Sequence, residues 1–182
     1  MRGPVPGLHI RAMKQTIALA PAAFIAALLL ATPATAQEAG EQPFDITQSS
    51  AWFNQQQAAL AAAQPADGWY ILDGGVRFRR ISGDGTGPAP TVRDIVQVHY
   101  TGRLTNGEVF DSSEDGDPVT FPLSRLIRAW QAAIPYMGVG DRAEIIVPAD
   151  MGYGPRGAGP IPPAATLIFE IELFDIMVPP GR

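Results

Sequence analysis

From Val76 to Ile176 apolar side chains recur at every second position in run after run, and helical spacing interrupts them only once. Residues 76–81 (VRFRRI) alternate. Residues 94–101 (DIVQVHYT) set Val96, Val98 and Tyr100 on one face against Gln97 and His99 on the other. A two-residue period is what a pleated strand with one buried face requires, because successive side chains point to opposite sides. Thr105-Asn106-Gly107 is a tight-turn signal, and residues 108–111 make the returning strand of a hairpin. Residues 119–123 form a further short strand, and residues 142–147 alternate again. Residues 166–176 (TLIFEIELFDI) put Leu167, Phe169, Ile171 and Leu173 inward, with Glu170 and Glu172 outward. The exception is residues 124–133 (SRLIRAWQAA), where Leu126, Ile127 and Trp130 share one helical face. About five antiparallel strands must therefore cover the apolar face of one short helix. The class is α+β.

Ahead of these strands, Ser49 or Ser50 can cap a helix that alanine and glutamine favour and Pro65 stops. Its stripe of Trp52, Gln56 and Leu60 is thin, so this helix docks or frays. Residues 37–48 read as a polar leader. Before them, Arg2, Arg11 and Lys14 precede an apolar run from about Thr16 to Leu30 and the small-residue site Ala34-Thr35-Ala36. This is the layout of a secretory signal, with cleavage expected after Ala36 and Met13 as an alternative start. An uncleaved anchor is the other reading, but a run of about 15 residues holding Pro21 falls short of the roughly 20 needed to span a bilayer. The expected organisation is residues 1–36 signal, 37–67 leader and short helix, 68–178 folded domain and 179–182 tail. A chain of 182 residues accommodates one domain with a true core but hardly two.

Composition then narrows the chemistry. The chain has no cysteine, which excludes disulfides, thiolate metal sites and thiol nucleophiles. His9 lies in the presequence, so His99, on the polar face of its strand, is the only histidine left to a mature chain. Neither a nucleophile–base triad nor a zinc site can be assembled from it. GDGTG at residues 83–87 follows a strand, but Pro88 and Pro90 come next instead of a helix, so it reads as a turn rather than a phosphate loop. Loss of residues 1–36 removes three basic and no acidic residues, moving the formal net charge from −5 to −8. Such a chain repels phosphate backbones, and no nucleic-acid partner is expected. No metal or cofactor is expected either. A hydrolase built on Asp111 or Asp150 would lack a second catalytic group nearby in sequence. What remains is a set of aromatic residues beside tight turns: Tyr100, Phe110, Trp130, Tyr153 and Phe169. Any one of them alone reads as ordinary core.

The order of motifs carries more. VHYTGRLTNGEVFDSS, then PVTFPLSRLIRAW, then GVGDRAEIIVPADMGYG, then GAGPIPPAATLIFEIEL resembles the FKBP-type peptidyl-prolyl cis–trans isomerases, from about Gly74 to Ile176. The leader and helix are similar to those of exported bacterial members such as the macrophage infectivity potentiator group, which carry a longer helical region. The resemblance implies a binding pocket at Tyr100, Phe110, Phe121, Leu126, Trp130, Ile161 and Phe169. It implies catalytic roles for Asp111, for the backbone N–H of Ile127 and for the hydroxyl of Tyr153. Tryptophan would floor the pocket, aromatic walls would grip a proline ring, and the two donors would meet ligand carbonyls. The implied partners are proline-containing polypeptides and macrolide inhibitors, the implied location is the periplasm, and a monomer is favoured, with no stable membrane insertion after cleavage. Three departures stand out: Val119 where an aromatic wall is common, Ala129 in place of a glycine, and a loop at residues 157–160 lacking the usual histidine. The segment 123–130 is also about two residues shorter. A catalytically weak chaperone or binding module using the same groove is the alternative expectation.

Overall fold

The computed structural model describes residues 46–177, with side chains from Ser50 onward. All of these belong to one compact unit. The expected signal segment and cleavage site, the expected leader up to residue 45 and the 179–182 tail lie outside the described residues.

Helix α1 (Ile46–Ala62) is followed by strands β1 (Tyr70–Ile71), β2 (Arg77–Ser82), β3 (Ile95–Leu104), β4 (Val109–Ser112) and β5 (Val119–Pro122). Helix α2 (Arg128–Ala133), β6 (Arg142–Val147) and β7 (Leu167–Met177) complete the fold. The seven strands make one antiparallel sheet in the order β1-β2-β6-β7-β3-β4, with β5 pairing β3 as well. The count exceeds the expected five partly because β1 is a two-residue pairing at the sheet edge, too short to show a period. The long ladder between β3 and β7 sets Tyr100 opposite Ile171 and Gly102 opposite Phe169.

Alternation along these strands matches burial. Val96, Val98 and Leu104 of β3, with Leu167, Phe169, Ile171 and Leu173 of β7, are buried on one face, where they pack with Ala129, Trp130 and Ala133 of α2. The hairpin turn closes as its residues require. Gly107 takes φ +89°, its N–H donates to the Leu104 carbonyl at 2.9 Å, and Asn106 accepts from the Glu108 N–H at 3.0 Å. The 83–87 segment is a turn, and its Gly85 amide donates to the Asp141 carboxylate at 3.2 Å.

The outer face of the sheet divides in two. Arg79, Arg103 and Arg142 ladder with Glu144 and Glu170, the shortest pair, Arg142–Glu170, at 2.5 Å. Another part, Ile146 and Ile168, is covered by Leu60 of α1 and by Ala63 just past its end, with Trp69 alongside. The expected stripe does dock, though its centre is a polar residue: Gln56 is 2% exposed. The helix already includes Ile46, one turn before the serines expected to cap it, and no proline or glycine interrupts residues 46–50.

Helix α2 departs further from expectation. Residues 123–125 form a 3-10 turn, Leu126 and Ile127 are extended (ψ 171° and 152°), and α-helix begins only at Arg128. The side-chain amide of Gln131 reaches back to the carbonyls of Leu126 (2.8 Å) and Ser124 (3.3 Å). Those contacts hold the preceding segment out of the helix.

Candidate active site

Between the inner face of the sheet and the start of α2 lies a cavity of about 280 Å³ lined by Tyr100, Asp111, Phe121, Leu126, Ile127, Trp130, Tyr153 and Phe169. Strand β3 supplies Tyr100, β4 Asp111, β5 Phe121 and β7 Phe169. Leu126 and Ile127 come from the extended segment before α2, and Tyr153 from the loop after β6. Aromatic rings form a continuous chain, all but one step edge to face. Phe121 is tilted against Tyr100 with centroids 6.4 Å apart, and Tyr100 meets Trp130 at 5.2 Å. Trp130 in turn meets Phe169 at 5.4 Å, and Phe169 meets Phe110 at 5.6 Å. Edge-to-face contacts satisfy the ring quadrupoles, each worth about 0.5–1.5 kcal/mol beyond the area buried. The indole N–H of Trp130 is buried with no acceptor among the described residues. Packing, rather than a hydrogen bond, holds that ring.

Of the ten side chains singled out from the sequence, eight line this cavity. Phe110 stands one ring back, its edge against Phe169, and Ile161 is buried in the main core. Neither is in the cavity wall. Leu126 and Ile127 line it from extended backbone, not from a helical face with Trp130. Val119 is half-buried opposite Val98, packs on the core, and is outside the wall. His99 lies on the outer side of β3, where it contacts Ser113 Oγ at 3.1 Å and the Phe174 ring edge-on.

Three residues that shape the site escape a reading of the sequence. Gly102 is the clearest: a Cβ there would sit 2.6 Å from Phe110 Cζ and 2.9 Å from Phe169 Cε1. The two phenyl rings close over its bare Cα, so any larger residue would have to displace both of them. Ser113 accepts from the Tyr100 N–H at 2.9 Å while its own N–H donates to the Tyr100 carbonyl at 3.0 Å, pinning the backbone that carries the tyrosine. Gln131, described above, fixes Leu126. Only the glycine leaves a signal, as an interruption in an otherwise bulky strand.

Polar groups are few. The Tyr100 hydroxyl donates to Asp111 Oδ2 at 2.6 Å. Burial first, and then the hydrogen bond to Asp111 and its charge, push the Tyr100 hydroxyl far above the ordinary tyrosine range. Burial and the Asp111 charge also raise Tyr153. Both phenols are therefore neutral donors at physiological pH. Tyr100 spends its proton on Asp111, whereas the Tyr153 hydroxyl and the Ile127 N–H meet no acceptor among the described residues. Two residues that carry unspent donors thus line a largely apolar cavity. Among the described residues no group of three or more His, Asp or Glu side chains is placed to hold a metal ion, and no helix is long and apolar enough to cross a membrane.

Comparison with known proteins places this geometry. The chain is 46% identical over 110 residues to FK506-binding protein 1 of Candida glabrata, covering 58% of this chain and 96% of that protein. This chain belongs to the FKBP-type peptidyl-prolyl cis-trans isomerase family. The model of that family's domain matches residues 87–174. As an FKBP-type chain it is also 44% identical over 121 residues to outer membrane protein MIP of Legionella longbeachae, covering 65% of this chain and 52% of that protein. The chain spans about half the length of the curated bacterial relatives it matches, between 41% and 54%. Its fold is similar to that of a peptidyl-prolyl cis-trans isomerase from Pseudomonas syringae, with a TM-score of 0.64 and 33% identity, covering 71% of this chain and 96% of that one.

Proposed function

We propose that this FKBP-type chain catalyses cis–trans isomerisation of X-Pro bonds in polypeptides, without a covalent intermediate or proton transfer. The observation that carries the reading is the apolar, ring-walled cavity with two unspent donors at Ile127 and Tyr153. An amide resists rotation by about 18–20 kcal/mol because its C–N bond is partly double. For X-Pro the two isomers are nearly equal in energy yet exchange over tens of seconds or longer. No bond need break, so a catalyst has only to favour the twisted amide over the planar one. The planar form is the more charge-separated and the better solvated, and a cavity that excludes water removes that advantage. Donors positioned for the carbonyl of the twisted form add to it.

In this reading Trp130 is the floor under the proline ring, with Tyr100, Phe121 and Phe169 as walls and Leu126 as a further apolar contact. The Ile127 N–H and Tyr153 hydroxyl receive peptide carbonyls. Asp111 orients Tyr100 and supplies a fixed negative field rather than carrying a proton. Phe110 acts from behind Phe169, and Ile161 as core beneath the loop. Macrolides of the kind that bind relatives would occupy the same cavity. The clients are exported proteins met in the periplasm, a location supported by the signal-like layout of residues 1–36 and by the outer-membrane relative. A protease-coupled assay on a chromogenic X-Pro tetrapeptide tests the activity. The slow phase should accelerate in proportion to protein concentration; no acceleration at any concentration would sink the proposal.

A further inference from the structure

Tyr153 sits in a long connection between β6 and β7, and three observations show what holds that connection still. Ala164 is the one non-glycine residue with positive φ (54°) among the described residues, a conformation that side chains with a Cβ rarely adopt. Its N–H donates to the Gly154 carbonyl at 3.1 Å, and Gly154 is the residue next to Tyr153. Helix α1 grips the chain on both sides of this strained residue. On one side the Trp52 indole N–H donates to the Pro163 carbonyl at 3.2 Å. On the other the Thr166 N–H donates to Gln56 Oε1 at 2.8 Å, and the Thr166 hydroxyl to the Gln56 carbonyl at 3.3 Å. The amide nitrogen of Gln56 donates in turn to Thr105 in the β3–β4 turn at 3.1 Å. A buried glutamine is costly unless its amide is satisfied. Here the amide oxygen holds one loop and the amide nitrogen the other, with a further bond from that nitrogen to the Trp52 carbonyl at 3.3 Å.

We propose that Trp52 and Gln56 are positioning residues for the cavity: by holding Pro163 and Thr166 they keep Ala164 in its strained conformation, and through the Ala164–Gly154 bond they fix the Tyr153 hydroxyl. The proposal rests on the isomerase reading for its kinetic consequence. Its structural content does not depend on that reading. A strained residue persists only where its surroundings over-determine it. Without the two grips on either side, Ala164 relaxes, its N–H leaves Gly154, and the tyrosine loses a defined position.

The test is a double-mutant cycle on kcat/KM with the full chain, read alongside amide hydrogen exchange. Gln56→Ala and Trp52→Phe should each lower kcat/KM, by up to about tenfold, since displacement of a positioned group from a distance costs on that order or more. Tyr153→Phe should cost the wild type activity but cost the Gln56→Ala variant little further, because the hydroxyl is already out of place. Purely structural damage would instead leave the Tyr153→Phe effect undiminished, and that additive result overturns the proposal. Trp52→Phe keeps an aromatic ring while removing the indole N–H and part of the ring volume, and it carries the same cycle if Gln56→Ala folds poorly. The Ala164 amide should exchange faster in both variants than in the wild type, and unchanged exchange overturns the clamp whatever the kinetics show. If the wild type itself accelerates no peptide, the isomerase reading fails, and exchange at Ala164 still decides the clamp.

Discussion

Replacing Gly102 by alanine gives a prediction whose sign, not only its size, is diagnostic. In a strand interior, alanine is ordinarily favoured over glycine by about 0.5–1 kcal/mol because the unfolded chain has less freedom to lose. At Gly102 the added Cβ would meet Phe110 Cζ at 2.6 Å, Phe110 Cε2 at 2.8 Å and Phe169 Cε1 at 2.9 Å. All three lie on rigid rings, and Phe169 is itself 3% exposed, so neither ring has a flexible end to move aside. Overpacking of this kind costs about 1–3 kcal/mol. The net expectation is a loss of about 0.5–2 kcal/mol, which at a urea m-value of about 2 kcal/mol/M is a fall of about 0.25–1 M in the midpoint. Relief has to move both rings, Phe110 and Phe169, and Phe169 lines the cavity, so kcat/KM should fall in the same variant. Gly116 is the control. A Cβ there meets nothing within 4 Å and its φ is not positive, so Gly116→Ala should be neutral or slightly stabilising, with unchanged activity. A Gly102→Ala protein as stable and as active as the wild type would refute the packing argument.

Other consequences follow from the same geometry. Asp111→Ala should lower kcat/KM with little change in the urea midpoint, because Asp111 is exposed and surrenders one hydrogen bond, from Tyr100. Trp130→Ala should lower activity and also destabilise by about 3–5 kcal/mol, the usual cost of emptying a fully buried aromatic site; equally small effects of the two on activity would count against the assigned site. In alkaline ultraviolet titration Tyr100 and Tyr153 should ionise above the ordinary tyrosine range, and Asp111→Asn should bring both down by removing its charge. The folded chain favours the neutral Tyr100, so that stabilisation is complete below about pH 10 and is lost as pH rises beyond it. For Asp141, burial alone would raise the carboxyl. Hydrogen bonds from Gly138, Gly85 and Arg80, with the arginine's charge, outweigh it and hold the group below the ordinary aspartate range. Its stabilisation is therefore present above about pH 4 and lost as pH falls further. Asp141→Asn should flatten the acid limb of a stability–pH curve.

What was legible in the sequence, and what was not, divides along physical lines. Strands β3 and β7 announced themselves because each has one buried face, and a period of two admits no other arrangement. The hairpin between β3 and β4 was legible because Asn106-Gly107 supplies the conformation that the turn needs. The true start of α2 was hidden: Leu126, Ile127 and Trp130 have helical spacing, yet the first two are extended, and the Gln131 amide folded back onto the Leu126 and Ser124 carbonyls is a contact that spacing does not report. Gln56 looked like a gap in an apolar stripe. Its partners Thr105 and Thr166 lie 49 and 110 residues away in sequence, and no local pattern reports them. Motif order located Phe110 and Ile161 along the chain, but whether a side chain reaches the cavity depends on what packs in front of it. For Phe110 that is Phe169.

The claim on which the rest depends is that a water-poor aromatic cavity speeds rotation about an X-Pro bond with no proton in flight. Two-dimensional exchange NMR on a proline tetrapeptide tests it most directly, because it reads the interconversion rate at equilibrium in the presence of the protein. Exchange should accelerate with added protein, by the same factor in H2O and D2O, and the acceleration should collapse for Trp130→Ala. An unaccelerated peptide, or a catalysed rate clearly slower in D2O, would contradict the account.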